Sequence, residues 1–260
     1  MARKRKSSRR RSQTWLGKLV GFFLPKELQG LGQWLWFGFS RISLALGSFF
    51  LSLTLIFSLL PIPFSAYMAQ QKISHLWQGQ PYKIQYQWAS LDRIAWQMQM
   101  AVIAAEDQNF DNHFGLDLAA IESVLKRKNK KLRGASTLSQ QVVKNLYLWH
   151  GTSWVRKGIE VPLTLLTETV WSKQRILEIY LNIAEFGPGI FGVEAAAQHY
   201  FKKKASQLTM QEAALLAASL PNPHIYKVNR PGTIMRKKQD WIMRQVQNLG
   251  GRAYLGRLSG

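Results

Sequence analysis

Cysteine is absent from the 260 residues, which excludes disulfides and thiolate metal sites. It fits an oxidising compartment as well as a reducing one. Histidine is scarce, and His75, His113, His150, His199 and His224 show no H-E-x-x-H spacing, which argues against a zinc enzyme. Acid is in short supply too: 14 Asp and Glu stand against 35 Lys and Arg. Strand-like alternation is confined to residues 82–88, and no internal repeat is visible. What remains is a basic, mainly helical chain.

The basic excess falls in two places. Ten cations precede residue 42 with only Glu27 opposing them, leaving 25 against 13 in the remainder. From 42 to 71 no residue is charged, and the apolar centre runs from Ile42 to Leu60 before Pro61. That length matches the roughly 20 residues needed to cross a bilayer. A cleaved signal peptide or a buried core helix would share the apolar run, but its length and the long upstream lead favour a retained anchor. The expected layout is a basic cytoplasmic and juxtamembrane segment over 1–41, a single transmembrane helix over 42–64 and an outer domain over 65–260. The cation excess before the span predicts a cytoplasmic N-terminus. Residues 1–11 form a charge run suited to anionic headgroups, and 15–36, rich in Trp, Phe, Leu and Gly, suit either an interfacial helix or a loose lead. Nucleic acid, the usual partner of a basic protein, is set aside in favour of anionic lipid or a phosphate-bearing substrate.

Beyond the span the periodicity is helical. Ile94, Met98, Ala101, Val102 and Ala105 recur at three- and four-residue steps, predicting an apolar face that ends at Glu106. Asp117 is placed to cap a helix from Leu118 toward Lys126, and Ser172 one that carries Ile176, Tyr180 and Ile183 on one face. Thr209 with Glu212 makes a capping box, and that helix should stop before Pro221.

Chemistry-bearing residues concentrate in three segments. Glu106 stands where an apolar helix gives way to a polar loop, a boundary that strips water from a carboxylate and makes it a better proton acceptor. Asp107 beside it adds like charge. An isolated Glu-Asp pair more often caps or ion-pairs, but Phe110, His113 and Gly115 follow at offsets that capping does not require. Residues 134–145 supply Gly134, the hydroxyls of Ser136 and Thr137, the amides of Gln140, Gln141 and Asn145, and the cation Lys144, a set that suits an anion at a helix start. Read alone, it is equally a polar loop with capping residues. Arg156, Lys157 and Glu160 lie within one helical turn and can converge on one site, although such residues commonly end as surface ion pairs. Carboxylates, amides and fixed cations beside a bilayer suit sugar transfer from a lipid-borne pyrophosphate.

In order along the chain, these segments resemble the peptidoglycan glycosyltransferases, found in class A penicillin-binding proteins and in monofunctional biosynthetic transglycosylases. E-D-x-x-F-x-x-H-x-G is met by Glu106, Asp107, Phe110, His113 and Gly115. G-x-S-T-x-x-Q-Q-x-x-K-N is met by Gly134, Ser136, Thr137, Gln140, Gln141, Lys144 and Asn145. R-K-x-x-E falls on Arg156, Lys157 and Glu160, and K-x-x-I-L-E-x-Y-L-N on Lys173, Ile176, Leu177, Glu178, Tyr180, Leu181 and Asn182. The likeness spans about residues 88–243 and is nearest to the monofunctional, membrane-anchored subclass. Thr164 and Thr152 depart from the family pattern, and Arg236, Lys237 and Lys238 echo its last basic motif loosely.

The resemblance implies a mainly α, lysozyme-like glycosyltransferase domain that polymerises lipid II into β-1,4-linked strands with inversion and releases the polyprenyl pyrophosphate. It casts Glu106 as general base and Glu160 as a second catalytic acid that orients the cations or holds a divalent ion. Asp107, Ser136, Thr137, Gln140, Gln141, Lys144, Asn145, Arg156 and Lys157 become substrate-binding residues. Phe110, His113, Gly115, Gly134, Glu178 and Asn182 become supports. No cofactor is required, though a divalent cation (Mg or Mn) is compatible. Partners would be lipid II, the growing glycan strand, membrane lipids, and a separate transpeptidase or division proteins, on the periplasmic side of a bacterial inner membrane. No fused transpeptidase is expected: Ser123 to Lys126 fits S-x-x-K, but no K-T-G or S-x-N follows. A lytic, lysozyme-like glycosidase and a non-catalytic scaffold of wall synthesis are the competing readings.

Overall fold

The computed structural model describes residues 31–126, 136–151 and 153–258. The charge run over 1–11, most of the 15–36 stretch, Gly134 and Thr152 lie outside them. The chain divides into two units, Met1–Leu53 and Thr54–Gly260.

The first unit contributes most of helix α1, Leu31–Leu59, whose stretch Gly32–Leu59 has a mean hydropathy of 2.1 and a side-chain surface left almost wholly uncovered. At 1.5 Å per residue its 28 residues reach about 42 Å, longer than the roughly 30 Å of a bilayer's hydrocarbon core. The helix starts eleven residues before the uncharged run, because a lone Arg41, lying 5.0 Å from the centre of the Phe37 ring, does not interrupt helical hydrogen bonding. It ends at Leu59, just ahead of Pro61, where proline has no N–H to continue the ladder.

Within the second unit, the last turns of α1 are tied down through their carbonyls. Trp171 donates its indole N–H to Thr54 O at 2.7 Å, and the Arg175 guanidinium donates to Phe57 O and Leu60 O. Phe57 O is one of the last-turn acceptors that a helix end leaves without an intrahelical partner. Helix α2, Ala66–Trp77, follows, capped by Ser65. Then come strand β1, Gln85–Tyr86, a 3-10 turn at Leu91–Arg93, and helices α3, Trp96–Glu106, and α4, Leu118–Lys126. Helices α5, Leu138–Tyr147, α6, Trp154–Val170, and α7, Lys173–Ile183, complete the first half.

Strands β2, Glu185–Gly187, and β3, Ile190–Phe191, pair antiparallel, and β1 adds to β3 in parallel. Helix α8, Val193–Phe201, a 3-10 turn at Ala205–Gln207, and helices α9, Met210–Ser219, α10, Thr233–Asn248, and α11, Arg252–Arg257, close the fold. The caps expected at Asp117, Ser172 and Thr209 all form.

The core is built around α3. The spacing predicts one apolar face, yet Met100, Ile103 and Ala104 are buried as fully as Met98, Ala101 and Val102. The helix is covered on several sides, chiefly by the alanine-rich α9 and by α10, whose small side chains permit close approach. Strand β1 occupies only two residues of the alternating 82–88 segment, and β2 and β3 are too short for alternation to show. Asn182 joins the sheet region to α7 by exchanging two 2.8 Å hydrogen bonds with the backbone of Ala89.

Gly192 enters α8 at φ +81°, and a Cβ there would lie 2.6 Å from Asn182 O. Gly192→Ala is predicted to cost about 1–3 kcal/mol or more. That corresponds to a fall of at least about 2 °C in thermal denaturation of a domain this size, and an unchanged midpoint would show the turn to be unstrained.

Candidate active site

Buried helix α3 delivers Glu106 at its last residue, and the next residue locks that end in place. The carboxylate of Asp107, almost wholly buried, accepts from Leu138 N at 2.9 Å and lies 3.0 Å from His113 Nε2 through both oxygens. One side chain thus joins the end of α3, the following loop and the start of α5. The loop is pressed further by Gly115, at φ +77°, whose missing Cβ would meet Thr164 Cγ2 at 2.8 Å. Thr137 Oγ1 donates to Gly115 O at 2.7 Å and accepts Gln140 N, while Gln140 Oε1 accepts Thr137 N. Thr137 and Gln140 thus form a buried capping box, and Thr137 also lines a hollow shared with Glu106. Phe110 is buried against the Lys173 ammonium, which donates to His113 O and pairs with Glu168.

Gln141 reaches the Glu106 carboxylate. Its Nε2 donates to Glu106 Oε2 at 3.0 Å, and its Oε1 accepts from the buried Tyr180 hydroxyl at 3.3 Å. Across the site, Lys238 Nζ on α10 lies 3.9 Å from Glu106 Oε1. Loss of water raises the Glu106 carboxyl above its ordinary range; the Gln141 bond, Lys238 and Lys144 oppose this and Asp107 adds to it. Lys144 is shifted down by burial, partly offset by the charge of Glu160.

Helix α6, capped by Ser153, presents the third group. Glu160 is held between Arg156, on one carboxylate oxygen, and Lys157, 2.5 Å from the other. Both oxygens being taken by cations, this carboxylate does not fit a divalent ion, and among the described residues no cluster of three or more His, Asp or Glu could hold a metal. Glu178 and Asn182 point elsewhere: Glu178 accepts Leu91 N and pairs with Arg175, and both brace α7 against 89–91.

The Glu106–Gln141 contact contributes one residue to the wall of each of two hollows. One, of about 260 Å³, is lined by Glu106, Asp107, Asn109, Asp117, Ser136 and Trp241. The other, of about 290 Å³, is lined by Gln141, Lys144, Asn145, His150, Tyr180 and Glu185 among others. Acid dominates the first and lysine enters the second.

Residues 70–247 match the sequence profile of the family described as Transglycosylase. The chain is 63% identical to the biosynthetic peptidoglycan transglycosylase of Mannheimia succiniciproducens, over 76% of this chain and 83% of that one. It is 61% identical to the Haemophilus influenzae protein of the same description, over 76% and 82%, and 56% identical to that of Salmonella typhimurium, over 84% and 91%. The chain belongs to the transglycosylase family. It is a peptidoglycan glycosyltransferase, and the two hollows lie in its catalytic domain.

Three features of this transglycosylase were not singled out from sequence. Lys238 was only a loose echo of a basic motif, and its approach to Glu106 depends on α10 packing against α3. His150 lines the second hollow, stacked on Tyr67 at 3.7 Å between ring centres; burial and the nearby Lys144 and Arg156 push its pKa down to about 4. Glu185 accepts from Tyr67 at 2.7 Å and Tyr82 at 3.2 Å, partners more than 100 residues away in the chain.

Asp107→Ala removes a buried acceptor from Leu138 N and His113 together. The transglycosylase should lose roughly 2–3 kcal/mol of stability, measured by denaturant unfolding. A midpoint equal to the parent's would show that this carboxylate does not hold α3 to α5.

Proposed function

We propose that the transglycosylase polymerises lipid II by direct displacement, with Glu106 as general base at the junction of an acceptor hollow and a donor hollow. The observation that carries this reading is the hydrogen bond that ties a dehydrated carboxylate lining the acidic hollow to Gln141, which lines the lysine-bearing one. An acceptor sugar in the first hollow brings its 4-hydroxyl to Glu106. Glu106 takes the hydroxyl proton as the oxygen attacks the anomeric carbon, the bond to pyrophosphate breaks, and the new linkage is β. The electron pair leaves on the polyprenyl pyrophosphate, whose charge Lys144, Arg156 and Lys157 stabilise. Glu160, holding Arg156 and Lys157, fixes where those cations sit.

Helix α1 fits a single-pass membrane anchor. The basic lead before it supports a cytoplasmic N-terminus, which puts the catalytic domain on the periplasmic side of a bacterial inner membrane. Trp154 and Val155, both largely exposed beside the α6 cations, suit contact with the headgroup region. A separate transpeptidase or division protein is the fitting partner, since the strand made here still needs crosslinking.

Glu106→Gln keeps the shape and removes the base, so lipid II turnover should fall about a hundredfold or more. Near-parental polymer yield would sink the assignment. The parent incubated with finished strands tests the lytic alternative, which requires release of soluble fragments.

Acidity supplies a second test. Glu106 must be ionised to act, and its pKa is raised, so the acid limb of kcat/KM should lie above the ordinary carboxylate value of 4.5. Lys144 must be charged, and its pKa is lowered, so rate should fall on the alkaline side below the ordinary 10.5. A profile flat between these two values would contradict both assignments. Lys157→Met should weaken donor use, and unchanged KM and kcat for lipid II would remove Lys157 from the pyrophosphate site.

A further inference from the structure

The amide of Gln141 has its direction fixed from both sides. An ionised carboxylate only accepts hydrogen bonds, so the NH₂ end must face Glu106. The carbonyl end then faces Tyr180, whose hydroxyl, buried and held neutral, can only serve by donating to it. Tyr180 is 1% exposed, and its hydroxyl finds its partner in the Gln141 carbonyl. The chain Tyr180 to Gln141 to Glu106 therefore occupies Oε2 and leaves Oε1, opposite Lys238, as the oxygen open to a proton.

We propose that Gln141, aimed by Tyr180, is a positioning residue for the base rather than a sugar-binding residue: it fixes the carboxylate plane of Glu106 and reserves Oε1 as the proton-accepting atom. The assignment rests on Glu106 being the base. A proton arriving on Oε1 leaves the Gln141 hydrogen bond to Oε2 in place, so the carboxyl need not turn during transfer. The charged or titratable groups acting on Glu106 are Asp107 beside it, Lys144 on the same helix as Gln141, Tyr180 on α7 and Lys238 on α10. Removal of Gln141 leaves all four and takes away only the neutral donor. That donor favours the ionised form, so its loss moves the acid limb of the rate to higher pH.

The test uses the full-length enzyme on lipid II, with Gln141→Met, which keeps length and loses the donor, and Tyr180→Phe, which keeps the ring and frees the amide to flip. Gln141→Met should lower kcat roughly tenfold to hundredfold with KM within about twofold, and shift the acid limb upward. Tyr180→Phe should move both quantities the same way by less. An acid limb that stays in place overturns the proposal whatever the rate, and so does a raised KM with kcat unchanged, which marks Gln141 as a sugar contact. If Gln141→Met melts well below the parent, Tyr180→Phe decides by the same readouts. Glu106→Gln run alongside separates the two levels: full activity there sinks the base itself, not merely its positioning.

Discussion

The geometry around Glu106 depends on one buried carboxylate, that of Asp107. Asp107 collects the Leu138 amide and the His113 ring, and by doing so fixes the end of α3 against the start of α5. Glu106 is the residue before Asp107, and Gln141 is one turn into the helix that begins at Leu138. Their 3.0 Å contact follows from that junction. Around it, Thr137 and Gln140 cap α5, Gly115 lets the loop press against α6, and Lys173 holds the loop carbonyl of His113. Much of what looks like binding chemistry in the motifs is the geometry that puts two residues in reach of each other.

Electrostatics then divides the labour. Glu106 sits at the end of a helix covered on several sides, and dehydration lifts its pKa. The Gln141 hydrogen bond, Lys238 and Lys144 limit that rise. The cations of α6 take a different course: Glu160 neutralises part of the Arg156 and Lys157 charge and holds both side chains in place. Under the proposed mechanism, cations held in place beforehand would leave little reorganisation to perform during the reaction.

Local patterns made much of this legible. The end of α3 at Glu106, the caps at Asp117, Ser172 and Thr209, and the helical grouping of Arg156, Lys157 and Glu160 are all set by residues within a few positions of each other. The support role of Glu178 and Asn182 came from the family resemblance, since a spacing of four also joins Arg156 to Glu160. Other parts rest on contacts distant in sequence. Lys238 meets Glu106 only after α10 packs on α3, and Glu185 finds Tyr67 and Tyr82 only through the small sheet. Strands of two or three residues carry no readable alternation. The early start of α1 was hidden by Arg41, since one charge ends an uncharged run without ending a helix.

The central claim is that burial makes Glu106 a base poised above an ordinary carboxylate. The most direct measurement is its own titration, followed by carbon-13 NMR of enzyme labelled at the glutamate carboxyls and assigned by the signal missing from Glu106→Gln. A midpoint above 4.5 is the predicted result. A midpoint at or below that value would mean the carboxylate is well solvated or tightly ion-paired, and would contradict the account.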